Sequence, residues 1–373
     1  MKQKFIFSFF LLLQMAVFAQ TFTVGNLQYE VISGTNVKVK KTSSCPTGAL
    51  TIPSSVTYND INYTVTTIKF NGFQSCTSLN SVTIPNSVTL IESAAFGSCT
   101  SLTSISIPNS VTEIRYNAFS NCSNLTSITI PNSVTMIDAG TFGYCTSLST
   151  ATIPNSVSTI GMFAFAGCSS LTSITIPNSI NTIHSSAFEN CTSLTSITIP
   201  NGITSIKDET FKNCSSLASV TISNAVTTIG IGAFLNCSSL TSVIFPNSVL
   251  AIGPLSFSNC SSLNSISIPS SVISISQSAF TNCLALTSVT CEIENPLVIH
   301  VNSFQNVSLS NVTLYVPAAS VAAYQAAPVW QNFGNIQSFP SATHLNFDGQ
   351  DDYVSLPNNV SSGLSGGSEM TIE

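Results

Sequence analysis

The sequence predicts a mainly β fold: a right-handed solenoid of 23-residue repeats whose strands form a parallel β-sheet, capped at both ends. Three observations carry this. Ten cysteines (Cys76, Cys99, Cys122, Cys145, Cys168, Cys191, Cys214, Cys237, Cys260 and Cys283) recur every 23 residues. Between them, runs such as "LTSITIPN" alternate apolar and hydroxyl side chains and then stop at a proline. The flanking segments lose the period, as the ends of a solenoid must, because a terminal turn has one face with no neighbour.

Residues 1–19 read as a secretory signal peptide. Lys2 and Lys4 supply a positive start, Phe5 to Leu13 an apolar run too short to span a bilayer, and Val17 and Ala19 the small residues of a cleavage site. Cleavage is expected after Ala19, which places the protein outside the cell, secreted or on the surface. No cysteine follows the apolar run, so no lipoprotein anchor is expected. No later stretch reaches ~18 apolar residues, so no membrane span is expected either.

Residues 20–49 are expected to form an N-terminal cap, a β-hairpin turning at Gly34-Thr35-Asn36. Residues 50–290 form the repeats, the first carrying an insertion around Asn59-Asp60. In each repeat the unit reads F-x-x-C-x-x-L-x-x-[IV]-x-I-P-N-x-[VI]-x-x-I-x-x-x-A-F. In one copy Leu194, Ile197 and Ile199 are apolar and point inward, while Ser196 and Thr198 point outward by strand alternation. Pro200 lacks the N–H a ladder needs and ends the strand. Asn201 follows as a turn former. The small residue and Phe before each cysteine are expected to form a short helical or 3₁₀ segment on the back.

Residues 291–338 are expected to close the solenoid. Phe304 keeps its phase, Val307 stands where a cysteine would, and Ala318 to Ala326 reads as a capping helix near Trp330. From 339 to 373 the composition shifts to acidic residues and glycine, which reads as a linker and the truncated start of a further domain.

Only 6% of residues are charged, with 9 Lys and Arg against 15 Asp and Glu and a net charge of −6. Loss of Lys2 and Lys4 with the leader makes the balance more acidic. Nucleic acid and anionic membrane surfaces are therefore not expected as partners, because both need basic patches. Serine, threonine and asparagine fill the polar positions instead.

Period 23 and the strand signature L-x-x-I-x-I are those of leucine-rich repeats. Units such as "NCTSLTSITIPNGITSIKDETF" resemble the BspA-like, treponemal-type leucine-rich repeats of bacterial surface proteins. The resemblance covers residues 22–338, including "TLYVPAASVAAYQAAPVWQNF", which is similar to that family's closing segment. It implies a leucine-rich repeat solenoid with a parallel sheet, an extracellular place and adhesion to other proteins. The tail "LNFDGQDDYVSLPNN" resembles the opening of a laminin-G-like, concanavalin-A-like jelly roll, a fold that recognises carbohydrate or protein.

Twelve cysteines in an exported chain raise the question of disulfides. Stacked equivalents lie about 4.8 Å apart. Their side chains point the same way, however, and a Cβ–S–S–Cβ torsion near 90° is then hard to reach. The ten ladder cysteines are expected to be buried structural thiols. The state of Cys45 and Cys291, off the ladder, stays open.

The outward hydroxyls form two columns. Ser104, Ser106, Ser127, Thr129, Thr150, Thr152, Ser173, Thr175, Ser196 and Thr198 are the candidate ligand face, either a solvated β-surface or a broad polar binding surface. A corner of three variable residues follows each conserved Ile ("ESA", "RYN", "DAG", "GMF", "HSS", "KDE") and holds most of the repeats' charges.

No catalytic, cofactor-binding or metal-binding residues are assigned, and no cofactor is expected. His184, His300 and His344 are scattered. The G-x-S-x-G match at Gly363 to Gly367 is followed by a strand-like segment instead of the helix a nucleophile elbow requires. The expected function is non-catalytic binding of extracellular proteins or glycans through the repeat face. The alternative is a spacer presenting a C-terminal lectin-like or glycan-active domain. The sequence does not give an oligomeric state.

Overall fold

Most turns carry two short strands and a back turn, and these bond to the equivalent segments of neighbouring turns. The computed structural model describes residues 20–339. Residues 1–19, expected to be a signal peptide, and nearly all of the 339–373 segment with its jelly-roll resemblance lie outside the described residues.

The N-terminal cap is an antiparallel meander of Thr21–Val24, Leu27–Ser33 and Asn36–Lys41. Its last strand pairs in parallel with Ile61–Ile68 and so joins the solenoid. The insertion in the first repeat is itself a hairpin. Ser55–Tyr58 pairs antiparallel with Ile61–Ile68, and the two turn residues Asn59 and Asp60 are both left-handed, at φ 48° and 61°. That is the geometry whose twist matches the strands of a two-residue hairpin.

The first ladder holds the "SIT" strands. Gly48–Thr51, Leu79–Thr83 and Ser104–Ser106 pair in parallel, as do Ser127–Thr129 with Thr150–Thr152 and Ser196–Thr198 with Ser219–Thr221. A longer run follows, from Ser242–Ile244 through Ser265–Ile268, Ser288–Cys291 and Thr313–Val316 to Asn335–Ser338. A second parallel ladder, of two-residue strands, runs beside it: Met136–Ile137, Thr159–Ile160 and Thr182–Ile183 are one stretch, and Ser205–Ile206 to Ser274–Ile275 another.

The back of the repeat departs from the expected helical or 3₁₀ segment. In one turn the N–H groups of Ala95, Gly97 and Cys99 donate three residues back, to Glu92, Ala94 and Phe96. The intervening N–H groups of Ala94, Phe96 and Ser98 donate to Tyr116, Ala118 and Ser120 of the next turn, at 3.1, 2.8 and 2.7 Å. A helix directs all its N–H groups along its own axis and leaves none for a neighbour. Alternation lets every turn bond the next. It requires two left-handed residues per repeat, here Ala94 and Ser98, at φ 52° and 59°.

The core is one continuous column. Phe73, Phe96, Phe119, Phe142, Phe165 and Phe188 stack face to face with centroids 5.3–5.7 Å apart. The same stack continues from Phe211 to Phe304. Trp330 and Phe333 close it edge-on against Phe304. The C-terminal cap holds a 3₁₀ turn, Ala318–Ser320, running into the helix Val321–Ala326. It is pinned by Tyr324, whose hydroxyl donates to Ile293 O at 2.9 Å, and by Trp330 Nε1, which donates to Leu297 O at 2.8 Å.

Candidate binding face

The cysteine ladder lies inside this core, beside the phenylalanine column. Cys99, Cys122, Cys145, Cys168, Cys191, Cys214, Cys237, Cys260 and Cys283 are free and fully buried. Each thiol donates to the carbonyl of the Phe 26 residues earlier, at 3.2–3.3 Å. Burial pushes the thiols up, Cys99 to about 11 and Cys145, Cys214 and Cys283 to about 12. They are protonated donors at neutral pH and poor nucleophiles.

Cys76 is a correction. It is bonded to Cys45 and is not a free thiol. The parallel-side-chain argument holds between equivalent positions, and Cys45 is not one. It arrives from the cap segment before Gly48, at the open end of the ladder, with a Cα–Cα distance of 5.2 Å that suits a disulfide. Cys291 is free and buried, within 3.2 Å of the Tyr324 hydroxyl.

From Cys191 to Cys283 the asparagine before the cysteine, and Asn306 at the same phase, does work that the repeat pattern left blank. Asn190, Asn213, Asn236, Asn259, Asn282 and Asn306 form a chain of amide hydrogen bonds, the Nδ2 of each from Asn213 onward donating to the Oδ1 of the one before at 2.6–2.8 Å. All six backbones are left-handed, a conformation asparagine tolerates better than most residues. The sequence signal was the recurrence of Asn-Cys.

The ten candidate face hydroxyls are all exposed: Ser104, Ser106, Ser127, Thr129, Thr150, Thr152, Ser173, Thr175, Ser196 and Thr198. The first ladder has a gap at Ser173 and Thr175, which lie in no assigned strand, yet both stay on the exposed side. Neighbouring hydroxyl columns behave differently. Thr103, Thr126, Ser149 and Thr195 donate to a carbonyl 23 residues earlier, at 3.1–3.4 Å. So do Ser123, Thr146, Ser169 and Thr192, at 3.2–3.5 Å. Among the described residues, none of the ten face hydroxyls donates to or accepts from another protein group. The repeat thus divides its hydroxyls into columns that tie turns together and two columns that remain available.

Beside the available columns, the strand ends and Pro–Asn turns line open grooves. One, of about 720 Å³, passes over Ser106, Thr129 and Thr152 and the turn residues Asn86, Asn109 and Asn132. A second, of about 330 Å³, lies at the same phase over Ser219, Thr221 and Asn224. Among the described residues, no ionisable group lines either groove.

The variable corner is largely internal wiring. Glu92 pairs with Lys38 of the cap at 2.9 Å and accepts the Phe70 N–H at 2.6 Å. Asp208 accepts the Ile231 N–H of the next turn at 2.8 Å. Lys212 bridges Glu189 and Glu209 at 3.2 and 3.0 Å, which raises its pKa. The third corner residue is left-handed in Ala94, Asn117, Gly140, Phe163, Ser186, Glu209, Gly232, Leu255 and Ser278, so backbone geometry restrains it too. His184 and His300 stand apart, and His344 lies outside the described residues. Among the described residues, no three His, Cys, Asp or Glu side chains converge as metal ligands would, and no helix is long and apolar enough to cross a membrane.

The sequence pattern of the BspA type leucine rich repeat region matches residues 49–161, 135–264 and 232–325. Among solved structures, a leucine rich cell surface protein from Faecalibacterium prausnitzii A2-165 is 28% identical, over 87% of this chain and 96% of that one, with a TM-score of 0.47. A leucine-rich repeat protein of T. pallidum is 26% identical, over 60% of this chain and 89% of that one, at 0.40. The pneumococcal vaccine antigen PcpA is 19% identical, over 86% of this chain and 99% of that one, at 0.53, and shares the fold. None of the curated protein sequences matches the chain.

Proposed function

The chain belongs to the BspA-type leucine-rich repeat family, and from that premise we propose that it is an exported, non-enzymatic binding protein that holds extracellular macromolecules, proteins or glycans, against its first strand ladder. The family suggests a repeat scaffold for binding. Its similarity to a cell surface protein of F. prausnitzii and the leader-like residues 1–19 favour a place on or outside the cell surface, where adhesion is the natural role.

The observation that carries the choice of face is the free state of the Ser104–Thr198 hydroxyls, beside columns whose hydroxyls are engaged between turns. A surface of groups that both donate and accept, repeated turn after turn, supports many weak hydrogen bonds over a large area. Few of its residues are charged, so binding should depend little on salt.

The test is capture of the purified protein on arrays of matrix proteins and glycans, with Thr129→Lys, Thr152→Lys and Thr198→Lys combined on the face. Ligand capture that the triple variant abolishes supports the assignment. Capture unchanged by it refutes the face, and no capture of any ligand refutes the binding role.

A further inference from the structure

We propose that the groove along the Pro–Asn turns takes a linear, neutral polysaccharide laid parallel to the solenoid axis, with about one sugar per turn. This rests on the reading of the first ladder as the ligand face and names the ligand class.

The lining decides against charge. Hydroxyls, carboxamides, prolines and isoleucines line both grooves, with no ionisable group among them. A carboxylate or sulfate buried there would find no cation, and an unpaired charge is costly to desolvate. Sugar hydroxyls suit the site because they donate and accept, as do Thr129, Thr152 and the Asn side chains. Asn109 Oδ1 already accepts the Asn132 N–H at 3.3 Å. Its amide donors have no partner among the described residues. Half-buried Ile107 and Pro154 offer apolar surface, against which the C–H faces of a pyranose pack.

The spacing decides against an extended peptide. Equivalent residues such as Ser106, Thr129 and Thr152 follow one another by one strand separation, about 4.8 Å. A peptide strand lying along the axis advances about 3.3 Å per residue and returns a side chain to the same face at about 6.6 Å, so it falls out of register within two turns. An extended β-1,4-linked pyranose chain advances by nearly one strand separation per sugar. Each glucose or mannose ring carries hydroxyls at both edges, so a flipped neighbour still meets the same Thr and Asn pair.

The experiment is isothermal titration of the full chain with β-1,4-linked oligomers of glucose, xylose and mannose, two to six sugars long, and with a hyaluronan hexasaccharide. The expected result is affinity that rises with length to about four sugars, the number of turns lining the larger groove, and then levels. Combining Thr129→Val with Asn132→Ala should weaken binding about tenfold with an unchanged thermal melt, since both side chains are exposed. Absence of binding by all three neutral series, or tighter binding of hyaluronan, overturns the inference. If the face variants then abolish capture of a protein ligand, the face assignment stands without the sugar. If they change no ligand's capture, both fall.

Discussion

The Cys191 thiol donates to the carbonyl of Phe165, 3.2 Å away in the preceding turn. That carbonyl also accepts the N–H of Cys168, so one oxygen joins the back turn of its own repeat to the core of the next. The cysteine is there for its size and its weak donor, and burial disfavours the thiolate by more than the backbone hydrogen bond from Cys168 favours it.

Thiol counting follows directly. The native chain should react with no thiol reagent on the time scale of free cysteine. Unfolded without reductant it should titrate ten thiols, and after reduction all twelve. Cys191→Ala removes a fully buried sulfur and a hydrogen bond and should cost about 1–3 kcal/mol, read from the urea midpoint. Rapid labelling of the native protein would contradict the buried ladder.

Alkali should unfold the protein. Burial raises Cys145, Cys214 and Cys283 to about 12 in the fold, against about 8.5–9 when unfolded. The unfolded chain therefore loses these protons first. Stability is intact below pH ~8.5 and falls as pH rises toward 12. Each thiol contributes about 2–3 kcal/mol of that loss by pH 10.5. Urea midpoints at pH 7.5 and 10.5 should differ, and equal midpoints would refute the assigned shifts.

Reduction of Cys45–Cys76 should loosen one end only. The bond closes 31 residues, worth about 3.7 kcal/mol in the loop-entropy account. Each turn contacts only its neighbours, so hydrogen exchange should accelerate in residues 20–80 and stay unchanged beyond Cys191. Uniform acceleration would show a cooperative unit larger than the nearest-neighbour picture allows.

The asparagine ladder separates two causes. Asn236→Gly keeps a residue suited to φ 63° but removes the bonds to Asn213 and Asn259. Asn236→Ala loses both advantages. The alanine variant should be less stable than the glycine variant by roughly 1 kcal/mol. Leu255 occupies the same backbone region at φ 57°, so Leu255→Gly should raise the melting temperature.

Two threonines three residues apart test the division of hydroxyls. Thr195 donates to Thr172 O at 3.3 Å, whereas Thr198 has no protein partner among the described residues. Thr195→Val should cost about 0.5–1 kcal/mol. Thr198→Val should leave stability within about 0.5 kcal/mol and act on ligand binding alone.

By itself the sequence determined the repeat and its inside and outside. Ile197 and Ile199 face the core and Ser196 and Thr198 face solvent because strand alternation is a local property, and Pro200 ends the strand for a reason contained in one residue. Tertiary structure decided what depends on the next turn. Thr195 and Thr198 look alike in the chain, and only the stacked carbonyl of Thr172 separates them. Cys76 looks like the other nine ladder cysteines, and only the cap brings Cys45 to it. The back of the repeat looked helical from its small residues and Phe, yet it is an alternating turn with two left-handed residues. The reason is that its N–H groups must reach a neighbouring turn as well as their own, and that demand exists only once the turns are stacked.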